Sequence, residues 1–229
     1  MECVAKTSKI RENAYTEPEI LKTFDQAQPI FKAVLSDEFN LENAGSVTGE
    51  VREELRALTP LIPRISRNPL VFLITTGCAQ YLALSRILKK YGMDSSDCGR
   101  IIHRVEEKKL KSIPAFIRRI IGRVLHTPLG RWIIRRAYVK SCSAPDSPYR
   151  IEAEFIKGDG KNFDFGVDFY HCGIQRFFHE QDADDIMPYI CEMDHIQARH
   201  MNIGFRRTET MPSGACRCNF RWKKSWRTT

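Results

Sequence analysis

IEAEFIKGDGKNFDFGVDFYHC, residues 151–172, decides how the rest of the chain reads. Ile151, Ala153 and Phe155 alternate with Glu152 and Glu154, the period of two that a half-buried strand needs. Gly158-Asp159-Gly160 supplies a hairpin turn, because glycine adopts the left-handed backbone that tight turns use. In the return run Phe163, Phe165, Val167 and Phe169 share one face, while Asp164, Asp168, Tyr170 and Cys172 share the other. The segment is therefore an antiparallel hairpin with one side meant for a core.

Downstream the period changes. A short helix is expected over about Gly173 to His179. A longer one follows with Pro188 in its first turn; it covers Ile186, Ile190 and Met193 and ends near Asn202. Two more strands, about Ile203 to Thr210 and Ala215 to Lys223, flank Pro212-Ser213-Gly214. The order β-β-α-α-β-β predicts a four-stranded antiparallel sheet carrying two helices, an α+β arrangement.

Upstream, SCSAPDSP (141–148) is a break in composition that separates a helical region, 1–145, from the α+β region, 146–229; the helical part is expected to pack on the sheet as one compact unit. Thr16 with Glu19 forms a capping box, and Pro29 is expected to break or kink the helix that it opens. Asn68-Pro69 starts a helix to about Tyr91 with Gly92 as its left-handed stop, and Asp94 with Asp97 opens the next. From Pro114 to Lys140, pairs of apolar residues (Phe116, Ile117, Ile120, Ile121) alternate with arginines at helical spacing, with an interruption expected at Pro128 and Gly130.

The 229 residues, 42% hydrophobic and 28% charged, have ordinary globular composition, which excludes wholesale disorder and collagen-like repeats. The net charge of +8 is polarised: 11 basic residues face 2 acidic ones between Arg104 and Lys140, and 11 acidic face 4 basic ones between Ile151 and His200. The opening MECVAKTSKIREN has no apolar core or cleavage site, and Pro69 to Leu84 is interrupted by Thr75, Thr76 and Gln80, so it reads as too short for a bilayer span of ~20 residues. A cytoplasmic protein is expected. Its eight cysteines then read as free thiols, with no CxxC pair among them. P-loop, HExxH, GxSxG and Rossmann glycine patterns are missing as well.

Chemistry-bearing residues gather in the last third. Cys172 ends a strand; Cys191, Asp194 and His195 share a helix face at i, i+3 and i+4; Cys216 and Cys218 share a strand face with Phe220 and Trp222. Three readings stand together. A thiolate serves as nucleophile where a cation, a helix N-terminus or a histidine lowers its pKa. Alternatively Cys172, Cys191 and Cys218, with Asp194 or His195, hold a tetrahedral zinc ion as cofactor. Or the thiols are small buried hydrophobes, which is also the reading for Cys3, Cys78, Cys98 and Cys142. Of Arg206 and Arg207 only one can point inward, where it clamps a substrate carboxylate or pairs with Asp168 or Asp194. The basic stretch 104–140 reads as a solvated face around an apolar stripe, or as a membrane-surface helix carrying Trp132; without a binding module, nucleic acid is not an expected partner.

The run from Asp168 to Trp222 resembles the C-terminal signature of the L-2-amino-thiazoline-4-carboxylic acid hydrolase family. Cys172 closes a strand as in that signature; Pro188, Cys191 and Asp194 match P-x-x-C-x-x-D; Arg207, Thr210, Gly214, Cys218 and Phe220 match R-x-x-T-x-x-x-G-x-x-x-C-x-F. The resemblance covers about 151–222, and NPLVFLITTGCAQYLALSRILKKYG (68–92) is similar in character to the family's N-terminal region. It implies hydrolytic opening of a 2-aminothiazoline ring to an N-carbamoyl cysteine, or of a related small carboxylated C–N or C–S substrate. The chemistry then asks for Cys172, Cys191 or Cys218 as nucleophile or ligand, Asp194 as acid/base, and Arg207 with Thr210 and Asp168 toward the substrate. The same ending is also similar to the 4-vinyl reductase domain family, which implies instead a small-molecule-binding or sensor module without turnover.

Overall fold

The computed structural model describes residues 15–39, 41–139 and 147–227. Its first helix, α1 (Glu17–Leu35), opens where the Thr16 backbone N–H donates to the Glu19 carboxylate at 2.9 Å. It runs through Pro29 without ending, contrary to the expected break. Proline in a helix interior costs about 3 kcal/mol. Burial of Phe24, Phe31, Val34 and Leu35 on both sides of it contributes about 1.5–3 kcal/mol per side chain and outweighs that cost.

Three more helices complete the N-terminal layer: α2 (Leu41–Leu58), α3 (Pro69–Lys90) and α4 (Ser95–Ser112). Asn68 caps α3 by accepting the Leu70 N–H at 2.9 Å, and Gly92 ends it at φ +83°. Asp94 caps α4 through the Asp97 N–H at 2.8 Å. These local signals fix the boundaries because each satisfies a backbone group the helix leaves unpaired. With 22 residues and a mean hydropathy of 1.4 in its most apolar window, α3 is long and apolar enough to cross a membrane, which corrects the shorter reading; 67% of that window is buried, and α3 packs against α1, α2 and α4.

The basic segment forms α5 (Ala115–Leu125) and α6 (Pro128–Ile134), divided where Thr127 caps Gly130 N–H at 3.2 Å. Gly130 lies inside α6 rather than at the break. Most of the proposed boundary at 141–148 falls outside the described residues.

Strands β1 (Glu152–Lys157) and β2 (Phe165–His171), helices α7 (Gly173–His179) and α8 (Met187–Met201), and strands β3 (Phe205–Arg206) and β4 (Cys218–Trp222) follow. The sheet is antiparallel throughout, in the order β1-β2-β4-β3, with Val167 opposite Phe220 and Phe169 opposite Cys218. The fold is α+β, as the order of elements requires.

The last two strands are shorter than expected. The Asn219 side-chain oxygen accepts the backbone N–H groups of Thr208 and Glu209 at 2.9 and 2.8 Å, so an amide takes the place of a partner strand there. The chain then passes through a 3-10 turn at Met211–Ser213, and Cys216 lies exposed before β4 begins rather than beside Cys218 in a strand.

Phe165, Val167, Phe169, Phe205, Cys218 and Trp222 build one core under the sheet, while α1–α4 enclose a second; Tyr149 and Ile174 pack against both. Helix α8 touches α4, α5 and β3, so it stands where the two cores meet.

Candidate active site

The junction of those cores collects the reactive side chains. Pro188 starts α8, and its helical period then carries Cys191, Asp194 and Gln197 at successive steps of three, each half-buried beside the buried row of Ile190, Met193 and Ile196. Arg207, two residues beyond the crossing of β3, turns inward with only 4% of its side chain exposed. Its Nη1 donates to Asp194 Oδ2 at 2.6 Å, its Nη2 donates to the Cys191 carbonyl at 3.0 Å, and its guanidinium lies 5.2 Å from the centre of the Phe220 ring. Arg206 points the other way, 4.3 Å above the Trp226 ring. The inward arginine is thus hydrogen-bonded to Asp194 and to the α8 backbone.

Asp194 occupies an unusual place. Burial among surrounding atoms raises its carboxyl from 3.8 to about 6, against the lowering effect of Arg207. Yet 39% of the side chain meets solvent. The carboxyl is therefore reachable from solvent while Arg207, its partner, is not. A carboxyl titrating near 6 accepts protons at neutral pH better than an ordinary aspartate does.

Three of the thiols expected at the site surround it. The Asp194 charge acts on the titration of Cys172, Cys191 and Cys218, Cys218 acts on that of Cys172, and both Cys172 and Cys218 act on that of Cys191, which places them in one neighbourhood. Burial pushes all three up, so none rests as a thiolate. They differ in what opposes that push. At Cys172, which precedes α7, the Ile174 and Gln175 N–H groups favour the anion, although no full capping hydrogen bond forms. Cys218 is buried and accepts the Met211 N–H at 3.2 Å. Cys191 has only the Arg207 charge in its favour, and burial holds it far above the ordinary thiol range.

The zinc arrangement is not what these thiols form. Among the described residues, no group of three or more His, Cys, Asp or Glu side chains is placed to hold a metal ion. Cys172, Cys191 and Cys218 come from three different elements, two of them with sulfur turned to backbone N–H groups, and they do not converge as a ligand set.

Two further expectations are corrected. Asp168 lies on the opposite face of the sheet from Phe169, buried beneath Arg217 at 2.8 Å and Arg221 at 2.5 Å; it is the anchor of a separate ion-pair group. Strand alternation put it on the face of Cys172, but Cys172 stands past the end of β2, where the chain turns into α7 and alternation no longer applies. Thr210 donates its hydroxyl to Ser213 at 2.7 Å and so holds the 3-10 turn instead of facing Asp194. His195 packs its ring against Phe205 at 4.9 Å, and burial lowers its pKa.

The helical layer adds groups that sequence reading passed over. Cys78 of α3 is buried, and its titration feels Cys172, Cys191 and Asp194. One turn later the Tyr81 hydroxyl donates to Glu106 at 2.6 Å, and Gln197 of α8 donates to the other Glu106 oxygen at 2.8 Å. Lys109, lowered to about 8 by burial, donates to the same Tyr81 oxygen at 3.1 Å. A buried polar chain therefore runs from Lys109 to α8, one helical step from Asp194. The signal available in sequence was Thr75, Thr76 and Gln80 within the apolar run of α3. The two surface depressions, one on α1 and α2 around Asp25 and Arg52 and one between α2 and α3 around Glu54, carry none of these residues.

Residues 109–222 match the family model of L-2-amino-thiazoline-4-carboxylic acid hydrolase. Over that half of its length the chain belongs to this family. The matched segment of the hydrolase family contains Cys172, Cys191, Asp194, Arg207 and Cys218, whereas Cys78, Tyr81 and Glu106 precede it. No curated protein and no solved structure matches the chain.

Proposed function

We propose that the site around Asp194 hydrolyses a small carboxylated heterocycle, with 2-aminothiazoline-4-carboxylate as the substrate and N-carbamoyl-cysteine as the product. The observation that carries this reading is the wetted, upward-shifted Asp194 held by Arg207 in the neighbourhood of Cys172. Family membership supports the hydrolase class.

In the first step the Cys172 thiol passes its proton to Asp194 and forms a bond to C2 of the ring. The bond from C2 to the ring sulfur breaks, and that sulfur takes the proton from Asp194. The result is an S-linked isothiourea on Cys172 with the substrate thiol free. In the second step water gives a proton to Asp194, its oxygen bonds to C2, the bond from C2 to Cys172 breaks, and the thiol regains its proton. One water is consumed and both side chains return to their starting states. The α7 N-terminus favours negative charge on the Cys172 sulfur while the bond to C2 forms, a feature that Cys191 lacks.

The test is incubation of the purified protein with 2-aminothiazoline-4-carboxylate and detection of N-carbamoyl-cysteine. Because Asp194 must be ionised to accept the proton, kcat/KM is expected to rise tenfold per pH unit below about 6 and level off above it. Asp194→Asn removes that limb along with most turnover. A flat profile across this range, or an Asp194→Asn protein that keeps its rate, refutes the assignment.

A further inference from the structure

Helices α5 and α6 are mounted inside out. On a helix that packs on a globular body, the apolar stripe faces inward. On α5, Phe116, Ile117, Ile120 and Ile121 are exposed, Phe116 by 63%, and Gly122 is the buried position. At about 100° per residue these four side chains fall within an arc of about 140°, centred nearly opposite Gly122. Gly122 is the reason the helix sits this way round: a Cβ there would stand 2.1 Å from the Met201 carbonyl, so the helix backbone lies directly on the end of α8. Arg118, which donates to His200 at 3.0 Å, completes the inner face.

The next helix continues the same surface. Leu129, Trp132 and Ile133 of α6 are exposed, Trp132 by 57%, while Arg131 turns inward over the Phe165 ring at 5.3 Å. Arg119, Arg123, Arg135 and Arg136 are exposed along these two helices. Residues 113–139 contain six arginines and no Asp or Glu.

We infer that α5 and α6 dock the protein on an anionic lipid bilayer as an interfacial, non-spanning anchor. Charge complementarity selects this occupant. The cation-only frame matches anionic headgroups, the outward isoleucines and Phe116 match the acyl boundary, and Trp132 beside arginines suits the region between them. A second copy of the chain is disfavoured, since an isologous contact would bring these arginines face to face.

The test is co-sedimentation of the full chain with vesicles of phosphatidylcholine plus phosphatidylserine and with phosphatidylcholine alone. Binding is expected with the anionic vesicles and at least tenfold weaker with the neutral ones, and it should fall as salt is raised. Ile120→Glu and Trp132→Glu, at exposed positions that leave the fold intact by circular dichroism, are each expected to weaken binding at least tenfold. Arg119→Gln with Arg123→Gln should reduce it and flatten the salt dependence. No binding to anionic vesicles overturns the inference. So does equal binding by Ile120→Glu, or a concentration-dependent dimer that Ile120→Glu dissolves, which would assign the face to self-association.

Discussion

Asp194→Leu is expected to destabilise the protein by about 3 kcal/mol, more than Arg207→Met does. The asymmetry follows from which charge is left behind. Leucine fills the space of the carboxylate and keeps water out, so the guanidinium of Arg207, 4% exposed, loses its 2.6 Å partner with nothing to replace it. Arginine cannot discharge itself by losing a proton. The reverse change leaves Asp194, whose side chain is 39% exposed and whose carboxyl already titrates near 6; water or a proton relieves it, and the loss should be about 1–2 kcal/mol. The double variant Asp194→Leu/Arg207→Met should be more stable than Asp194→Leu alone, because it removes the orphaned charge. Thermal unfolding would show the first variant lower in Tm by about 6–12 °C, at roughly 2–4 °C per kcal/mol for a chain of this size. Equal losses for the two single variants would mean that the two charges are equally solvated in the folded protein, against the unequal exposure of the pair.

The second large effect belongs to sulfur. Cys172→Ser is expected to lower kcat by about 10³-fold or more with the fold unchanged, since a hydroxyl is a far weaker nucleophile than a thiol at neutral pH. Cys191→Ser and Cys218→Ser should stay within about tenfold of wild type, a difference of about 1.4 kcal/mol. The distinction rests on surroundings that differ within one neighbourhood. Cys172 and Cys191 are both half-buried and Cys218 is buried in β4, but only at Cys172 do two N–H groups of α7 favour the anion. If all three variants lose turnover alike, the thiols act as a unit and the assignment of one nucleophile fails.

Much of the fold was legible because its signals are local. Thr16, Asn68, Asp94 and Gly92 each mark a helix boundary through a backbone group they satisfy or a left-handed turn they permit. Alternation found β1 and β2 for the same reason. The length of β3 was not legible, because the competitor that ends it is the Asn219 side chain, reaching from another strand. The outward mounting of α5 was hidden too. Periodicity reports that a helix has two faces, and only the close approach at Gly122 says which of them meets the protein.

The site divides along the same line. The P-x-x-C-x-x-D spacing on α8 and the need for one inward arginine could be read, whereas its pairing with Asp194 rather than Asp168 could not, since that depends on how β3 packs against α8. Asp168 was misplaced because β2 ends before Cys172, and faces inferred from alternation do not extend around a turn. Cys78, Tyr81 and Glu106 are announced only indirectly, by the polar Thr75, Thr76 and Gln80 within the apolar run of α3. They reach the junction through tertiary packing of α3 and α4 on α8, which no spacing within a single element records.

Rapid acid quenching of the protein during turnover, followed by peptide mass mapping, asks the decisive question of Cys172. The expected result is a mass increase of one whole substrate molecule on the peptide holding Cys172, weaker in Asp194→Asn, which cannot take the thiol proton, and absent in Cys172→Ser. Substrate mass on the Cys191 or Cys218 peptide instead, or N-carbamoyl-cysteine forming at the wild-type rate in Cys172→Ser, would contradict the account.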